Sequence, residues 1–253
     1  MYSNLLKINI GTETVQKILY KIDKFLSREN NNFFHVVNLN PDIFVLTYKD
    51  ERYRQIINKA DLQLIDGIGI KIASRFFGKT SGERMTGTDL MTLLVKYASE
   101  NNKKVMFLGG KGEAAKLTGI NFKKQYSNLN YNFDSGSTNI KISSKKENNR
   151  ILNHIRNFKP DLLFVAYGSP YQEKWIYQNK KYFKGVVCMG VGGAFNFISG
   201  KIKRAPKIFT RFGFEWLWRL IFEPARIKKL PRHLYFLILI IFLSSRNIKL
   251  KTK

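Results

Sequence analysis

Short apolar segments alternate along the chain with longer segments in which apolar residues recur every three or four positions. The short segments are typical of buried strands, and the longer ones of helices that bury one face. After an N-terminal strand marked by Leu6, Ile8 and Ile10, the pattern predicts strands at 33–37, 62–65, 104–108, 131–134, 162–165 and 185–189. It predicts helices at 14–26, 41–48, 51–59, 70–78, 89–101, 113–126, 148–158 and 171–179. This alternation predicts an α/β fold with a mostly parallel sheet flanked by helices.

Small and polar residues follow five of the predicted strands. Asp66 comes directly after one of them and is itself followed by Gly67. A lone aspartate before glycine is most often a turn residue, because its side chain bonds to the local backbone. The other four strand ends carry residues of the same kind: Asn38 and Asn40, Gly109 and Gly110, Gly168, and Gly190. Because parallel strands end at one edge of a sheet, where such folds bind ligands, we predict a single crevice around Asp66.

The chain changes character near residue 200. Residues 201–253 hold fourteen lysines and arginines against two acids, together with Trp216 and Trp218. This composition is typical of a helix on a membrane surface, although a basic helix packed on the protein body would share it. The apolar run at 234–243 is too short to cross a bilayer, which takes about 20 residues. We therefore predict a body at 1–200 and a basic, amphipathic helical appendage at 201–253 that associates with an anionic membrane surface.

The whole chain is strongly basic, with a formal net charge of +26. Such a charge favours anionic partners, which are lipids, phosphorylated substrates or nucleic acid. A nucleic-acid-binding protein is one alternative, but no helix-turn-helix or RNA-binding pattern supports it, so we expect no nucleic acid partner. The only cysteine, Cys188, excludes a disulfide framework and indicates a reducing compartment. The apolar C-terminus also leaves self-association into a homo-oligomer open.

A glycine motif supplies a rival interpretation. Residues 110–115 match G-x-G-x-x-A between a predicted strand and a predicted helix, and Asp134 ends the next strand. This arrangement is similar to the fingerprint of dinucleotide-binding folds. An NAD(P)-dependent oxidoreductase is therefore the alternative enzyme.

Two further groups of residues suit a ligand. Gln172 and Glu173 lie in the first turn of a helix that Pro170 begins, where backbone N–H groups and side chains meet ligands. Glu173 would equally complement the helix dipole. Arg219 and Arg226, in the C-terminal segment, carry guanidinium groups that match phosphate oxygens or lipid headgroups.

No metal site is predicted. The three histidines are scattered along the chain and fit packing or solvent contact: His35, His154 and His233. There is no D-x-D motif of the kind that holds a metal on a nucleotide sugar. We expect neither a metal nor another cofactor.

Eight short motifs follow one another within residues 35–232. They are Asn38-Leu-Asn-Pro41, Asp66-Gly-Ile-Gly69, Glu83-Arg-Met-Thr-Gly87-Thr-Asp-Leu90, Phe107-Leu-Gly-Gly110, Gly168-Ser-Pro-Tyr-Gln-Glu173, Gly190-Val-Gly-Gly-Ala-Phe-Asn196 with Ser199-Gly200, Arg204-Ala-Pro206, and Glu215-Trp216 through Arg219 to Glu223-Pro224-Ala-Arg226. In this order they resemble the bacterial WecG/TagA/CpsF glycosyltransferase family. That family includes the N-acetylmannosaminyl transferase of wall teichoic acid synthesis and the N-acetylmannosaminuronic acid transferase of enterobacterial common antigen.

The resemblance implies a Rossmann-like transferase at the cytoplasmic face of the plasma membrane. The expected donor is a UDP-sugar, and the expected acceptor is a sugar linked to undecaprenyl diphosphate in polysaccharide or teichoic acid synthesis. The anomeric carbon would be inverted, without a metal in the active site.

The resemblance also implies roles for single residues. The catalytic base falls on Asp66, the polar pocket residues on Asn40, Arg84 and Gln172, and the diphosphate-binding arginines on Arg219 and Arg226. The remaining substrate-binding candidates lie in the family motifs at strand ends: Asn38, Gly109, Gly110, Glu173 and Asn196.

Three positions depart from the family pattern: Asn38 stands where threonine is frequent, Asn196 where aspartate is usual, and Lys229 where arginine is common. A neutral amide at Asn196 cannot serve as a base. The departures bear on the identity of the donor sugar and not on the type of reaction.

Overall fold

Strands and helices alternate closely along the chain, whose computed structural model describes residues 2–28, 32–206, 209–210 and 215–251. The strands are β1 Tyr2–Leu5, β2 Ile8–Gly11, β3 Phe34–Leu39, β4 Leu62–Ile65, β5 Lys104–Gly109, β6 Asn130–Asp134, β7 Leu162–Ala166 and β8 Val187–Gly190. The helices are α1 Val15–Leu26, α2 Pro41–Lys49, α3 Glu51–Asn58, α4 Ile68–Phe76, α5 Gly87–Glu100, α6 Ala114–Gln125, α7 Lys145–Phe158, α8 Tyr171–Gln178, α9 Ala194–Ile198, α10 Glu215–Phe222 and α11 Leu230–Lys251. Short 3₁₀ segments lie at Lys180–Tyr182 and Pro224–Lys229.

The central sheet has six strands in the order β4-β3-β8-β7-β5-β6. Every neighbouring pair in it is parallel. The predicted α/β fold with a mostly parallel sheet is therefore confirmed, and the strand ends predicted to line a crevice do share one edge. All four residues of β4 are buried, as expected for a strand covered by helices on both faces.

The N-terminus differs from its prediction. In place of one strand through Leu6, the chain forms an antiparallel hairpin of β1 and β2. Leu6 and Lys7 make the turn with φ angles of 53° and 66°. The prediction of a single strand was wrong because such left-handed turns are usually signalled by glycine or asparagine, and here both residues are of other types.

Two helices begin directly at the edge where the parallel strands end. Asn40 caps α2, since its side-chain oxygen accepts the N–H of Ile43 at 3.0 Å, and Pro41 occupies the first turn. Thr86 caps α5 by accepting the N–H of Asp89 at 3.1 Å. These caps fix the polar N-termini of α2 and α5 beside the ends of β3 and β4.

The C-terminal helix α11 packs on the body of the protein. Its residues Phe236, Leu239 and Ile240 are buried in the cluster that contains Ile43 and Phe44 of α2. Five large apolar residues among the described side chains of α11 remain exposed: Leu234, Leu237, Ile238, Ile241 and Phe242. Among the described residues, no helix combines the length and the apolarity needed to cross a membrane.

Candidate active site

A cavity of about 370 Å³ opens at the ends of β3 and β4. The body of the protein contributes one wall, with Asn40, Pro41, Asp42, Asp66, Gly67, Ile68, Gly69, Ile72 and Arg84. The C-terminal segment contributes the other, with Trp216, Leu220, Arg226, Leu230, His233, Phe236 and Leu237. The cavity therefore exists only because the C-terminal segment lies over the sheet edge.

Asp66 lies in the two-residue connection between β4 and α4. Its backbone N–H donates to the carbonyl of Leu39 at 2.9 Å, which ties it to the end of β3. Gly67 follows with φ of 114°, a conformation that suits glycine, and a Cβ there would lie 3.4 Å from the Pro41 ring. The backbone thus holds the half-buried residue Asp66 at the cavity wall, between the ends of β3 and β4.

Arg84 reaches the cavity from an extended segment beside β4. Arg84 pairs with Ile65 in a parallel bridge, and the N–H of Met85 donates to the carbonyl of Ile65 at 3.0 Å. The carboxylate of Glu83 accepts the N–H of Val15 at 3.0 Å and anchors the same segment to α1. Arg84 and Asp66 therefore line the same cavity.

Asn40 has two roles in the structure. Its oxygen caps α2, and the residue also lines the cavity between Asp66 and Pro41. The cap fixes the side-chain rotamer, so Asn40 presents a preset polar surface to a ligand.

Arg226 brings positive charge to the cavity from the 3₁₀ segment after α10. Its side chain pairs with Glu223, and its backbone N–H donates to the Glu223 carbonyl at 2.8 Å. Arg219 belongs to α10, but its side chain lies outside the described part of the structure, as does that of Lys229.

Three contacts fasten α11 to α2. Arg232 pairs with Asp42 at 2.8 Å, and Asp42 is almost fully buried. Phe236 packs edge-on against Phe44 with ring centroids 5.4 Å apart. The ammonium of Lys49 lies 4.1 Å above the ring of Tyr235.

His233 and Trp216 belong to the cavity wall, and sequence reasoning did not place them there. Their rings stack at 5.6 Å with an angle of 25° between planes. His233 does pack, as predicted, but it also faces the cavity. The signal available was spacing, because residues 233, 236, 237 and 240 recur at helical intervals.

Gln172, one of the predicted pocket residues, is buried and joins two strand ends. Its oxygen accepts the N–H groups of Gly168, at 3.1 Å, and Gly192, at 3.0 Å. Its nitrogen donates to Glu173 at 2.7 Å. Gln172 thereby holds the loops after β7 and β8 in register, outside the cavity described above.

Glu173 is enclosed in the protein. Its carboxylate also accepts the hydroxyls of Tyr53, at 3.0 Å, and Ser169, at 2.9 Å. Burial raises the pKa of Glu173, while these hydrogen bonds oppose the rise. The structure therefore shows Glu173 supporting Gln172 from within.

Asn38 likewise makes an internal contact at the sheet edge. Its amide donates to the carbonyl of Gly190 at 3.0 Å and so bridges β3 and β8. Helix α5 approaches so closely that a Cβ at Gly87 would lie 2.2 Å from the Asn38 nitrogen.

The last three predicted residues lie outside the cavity lining, at the end of β5 and after β8. Gly109 and Gly110 turn the chain after β5 with φ of 89° and 85°, and a Cβ at Gly109 would lie 2.9 Å from the Tyr167 ring. Asn196 is half-buried in α9. The structure thus gathers Asp66, Asn40, Arg84 and Arg226 at one cavity. The other described candidates lie outside its lining, on β3, at the end of β5, and in α8 and α9.

Asp134, on which the dinucleotide interpretation relies, is committed to other partners. Both carboxylate oxygens of Asp134 accept hydrogen bonds from Arg150, at 2.7 and 3.0 Å. Its Oδ2 also lies 2.8 Å from His154 Nδ1. The other accepts the N–H of Gly136 at 2.7 Å. A ribose would have to displace these partners, so the structure gives the oxidoreductase alternative no support.

No group of three or more metal-ligating side chains occurs among the residues described.

Comparison with known proteins gives a consistent result. The model of the glycosyl transferase WecG/TagA/CpsF family matches residues 3–251. Proteins of Staphylococcus aureus strains NCTC 8325 / PS 47 and COL are 29% identical over 235 residues, which span 92% of this chain and 90% of theirs. Both are named N-acetylglucosaminyldiphosphoundecaprenol N-acetyl-beta-D-mannosaminyltransferase.

Proposed function

Since the chain belongs to the WecG/TagA/CpsF family of glycosyltransferases, we propose that it transfers an N-acetylmannosamine-type sugar from a UDP-sugar to an N-acetylglucosamine linked to undecaprenyl diphosphate. The Staphylococcus aureus relatives carry that acceptor and that sugar in their names. One observation carries the proposal for this chain. A carboxylate, Asp66, shares a cavity with the cationic residues Arg84 and Arg226 at the edge where parallel sheets bind ligands.

Asp66 acts as the general base in the proposed reaction. A hydroxyl of the acceptor attacks the anomeric carbon of the donor, the bond from that carbon to UDP breaks, and UDP leaves with the electron pair. The hydroxyl proton passes to the Asp66 carboxylate. Because attack and departure occur on opposite faces of the sugar, the anomeric carbon is inverted.

Arg84 and Arg226 provide positive charge for the diphosphates. Guanidinium groups bind phosphate oxygens through paired, charge-assisted hydrogen bonds, and charge placed beforehand stabilises a leaving group as it becomes negative. We assign Arg219 to the same role. In this scheme the arginines take the place that a metal ion occupies in other transferases.

The donor lies beside this cavity, at the ends of β5, β7 and β8. Gly110 and Gly168 are partly exposed and leave backbone open to close approach there, and the buried Gly109 turns the chain before Gly110. Asn38 and Gln172 keep these strand ends aligned, and Asn196 supplies a neutral amide for hydrogen bonding. Glu173 supports Gln172 and does not touch the sugar.

The protein works at the cytoplasmic face of the membrane as a peripheral enzyme. The exposed apolar face of α11 and the net charge of +26 both suit an anionic lipid surface. Since α11 and Arg226 belong to one segment, docking at the membrane and completion of the site would be coupled.

A direct assay tests the proposal. The protein is incubated with a panel of UDP-sugars and an N-acetylglucosamine-diphosphate-lipid, and the lipid product is analysed by mass spectrometry. We expect one added N-acetylhexosamine from UDP-N-acetylmannosamine, with UDP released. No product with any UDP-sugar, together with a rise in melting temperature on adding NADH but not UDP, would favour the oxidoreductase instead.

A further inference from the structure

Helix α4 exposes an apolar stripe that the reaction above does not use. Ile68, Ile72 and Phe76 are 38%, 48% and 66% exposed. Their spacing of four residues places them on one face of the helix. Isolated apolar residues on a surface are ordinary, but three in line beside a cavity indicate a binding surface.

The stripe continues the wall of the cavity. Ile68 and Ile72 line the cavity together with Leu237 of α11, and Phe76 extends the same face by one turn. Helices α4 and α11 approach closely at Gly69, where a Cβ would lie 3.2 Å from the Phe236 ring. An apolar groove therefore leads away from the cavity between the two helices.

Polarity changes along this groove. Asp66, Arg84 and Arg226 make one part of the cavity lining charged. Ile72 and Leu237 in the lining, and Phe76 one turn farther along α4, are apolar. Phe76 lies eight residues beyond Ile68, which is about 12 Å along α4 at 1.5 Å per residue. A ligand that fits must have a polar, anionic head and an apolar tail.

We infer that the groove between α4 and α11 binds the first isoprene units of the acceptor, those next to its diphosphate. The inference rests on the proposed function, because it takes the acceptor to be lipid-linked. Exposed Lys71, Arg75 and Lys79 flank the apolar stripe and suit the anionic lipid headgroups around the acceptor. The enzyme would then recognise the lipid chain itself, in addition to resting on the bilayer.

The inference is tested by measuring how transferase activity depends on the length of the acceptor's isoprenoid chain. The measurement is made in detergent solution, because no bilayer is present there. Two acceptors are compared, one with a single isoprene unit and one with several. For each variant, kcat/KM with the long acceptor is divided by kcat/KM with the short acceptor. We expect this ratio to fall by about 10-fold in Ile72→Ser and in Phe76→Ser, because burying one apolar side chain contributes about that much to binding. The matched control is Ile142→Ser, because Ile142 is 79% exposed and lies in the loop after β6; it should leave the ratio unchanged.

A second measurement separates this inference from the proposed reaction. A photoreactive isoprenyl diphosphate without a sugar should crosslink to the peptide that contains α4 in the wild-type protein, and less in Ile72→Ser. Crosslinking at α4 without any sugar transfer would support isoprenyl binding in the groove and contradict the proposed reaction. An unchanged chain-length ratio with no crosslink at α4 would overturn the inference, as would variants that alter only vesicle binding or only the oligomeric state.

Discussion

Asp66 illustrates how far single residues could be predicted. An acid at the end of a buried strand, before glycine, was identifiable from the pattern of the chain. Arg84 needed the family resemblance, because nothing in its local sequence points to a cavity. Arg226 was indicated by its basic segment as a phosphate ligand, but the sequence did not place it beside Asp66. His233 and Trp216 were missed because they reach the cavity of Asp66 only through the packing of segments about 150 to 170 residues apart, which local periodicity does not encode.

Gln172 gives a test at the residue scale. In Gln172→Ala the part-buried N–H groups of Gly168 and Gly192 lose their acceptor, and the buried carboxylate of Glu173 loses a donor. We expect the free energy of unfolding, measured in urea, to fall by about 1 to 3 kcal/mol, the usual cost of leaving buried polar groups unpaired. Gln178→Ala is the control, since Gln178 is exposed on the same helix, and it should change stability by less than about 0.5 kcal/mol. Equal stability of the two variants would contradict the assigned role.

Whole elements followed from the sequence more faithfully than single contacts did. Five of the six parallel strands are almost wholly buried, so they appear as mainly apolar runs in the sequence, whereas the edge strand β6 is partly exposed and largely polar. The hairpin of β1 and β2 was missed because Leu6 and Lys7 adopt a turn conformation that their residue types do not announce. The packing of α11 on α2 was left open between a membrane helix and a packed helix, and the structure shows one face packed and another exposed.

The ion pair of Arg232 with Asp42 gives a test at the element scale. It fastens α11, which carries part of the cavity wall. Arg232 is partly exposed to solvent, so its loss should cost only about 1 kcal/mol, and we expect Arg232→Ala to lower kcat/KM about fivefold and to make α11 more susceptible to limited proteolysis.

Lys228→Ala removes the same charge from the preceding segment and serves as the control, because Lys228 is exposed. Equal losses in the two variants would show that net charge matters and that the ion pair does not.

At the scale of the molecule, charge and apolar surface act together. Helix α11 exposes Ile238 and Phe242, and the chain carries a large excess of cations. We expect Ile238→Glu with Phe242→Glu to reduce co-sedimentation with anionic vesicles by at least about 10-fold, because two apolar side chains are replaced by anions that the lipid repels.

The same substitution at Ile142, also exposed but distant from α11 in the chain, should have little effect. Binding of the wild-type protein should also weaken as salt rises. Vesicle binding that survives the double substitution would place the membrane contact elsewhere.

The central claim is that Asp66 is the base of a site that the C-terminal segment completes. Its most direct test is the turnover of Asp66→Asn on UDP-N-acetylmannosamine and the lipid-linked acceptor, with UDP binding measured by calorimetry alongside. The amide preserves size but cannot accept the hydroxyl proton, so kcat should fall by about 10² to 10⁴ while UDP affinity stays within about twofold. An Asp66→Asn variant with wild-type kcat would contradict the account.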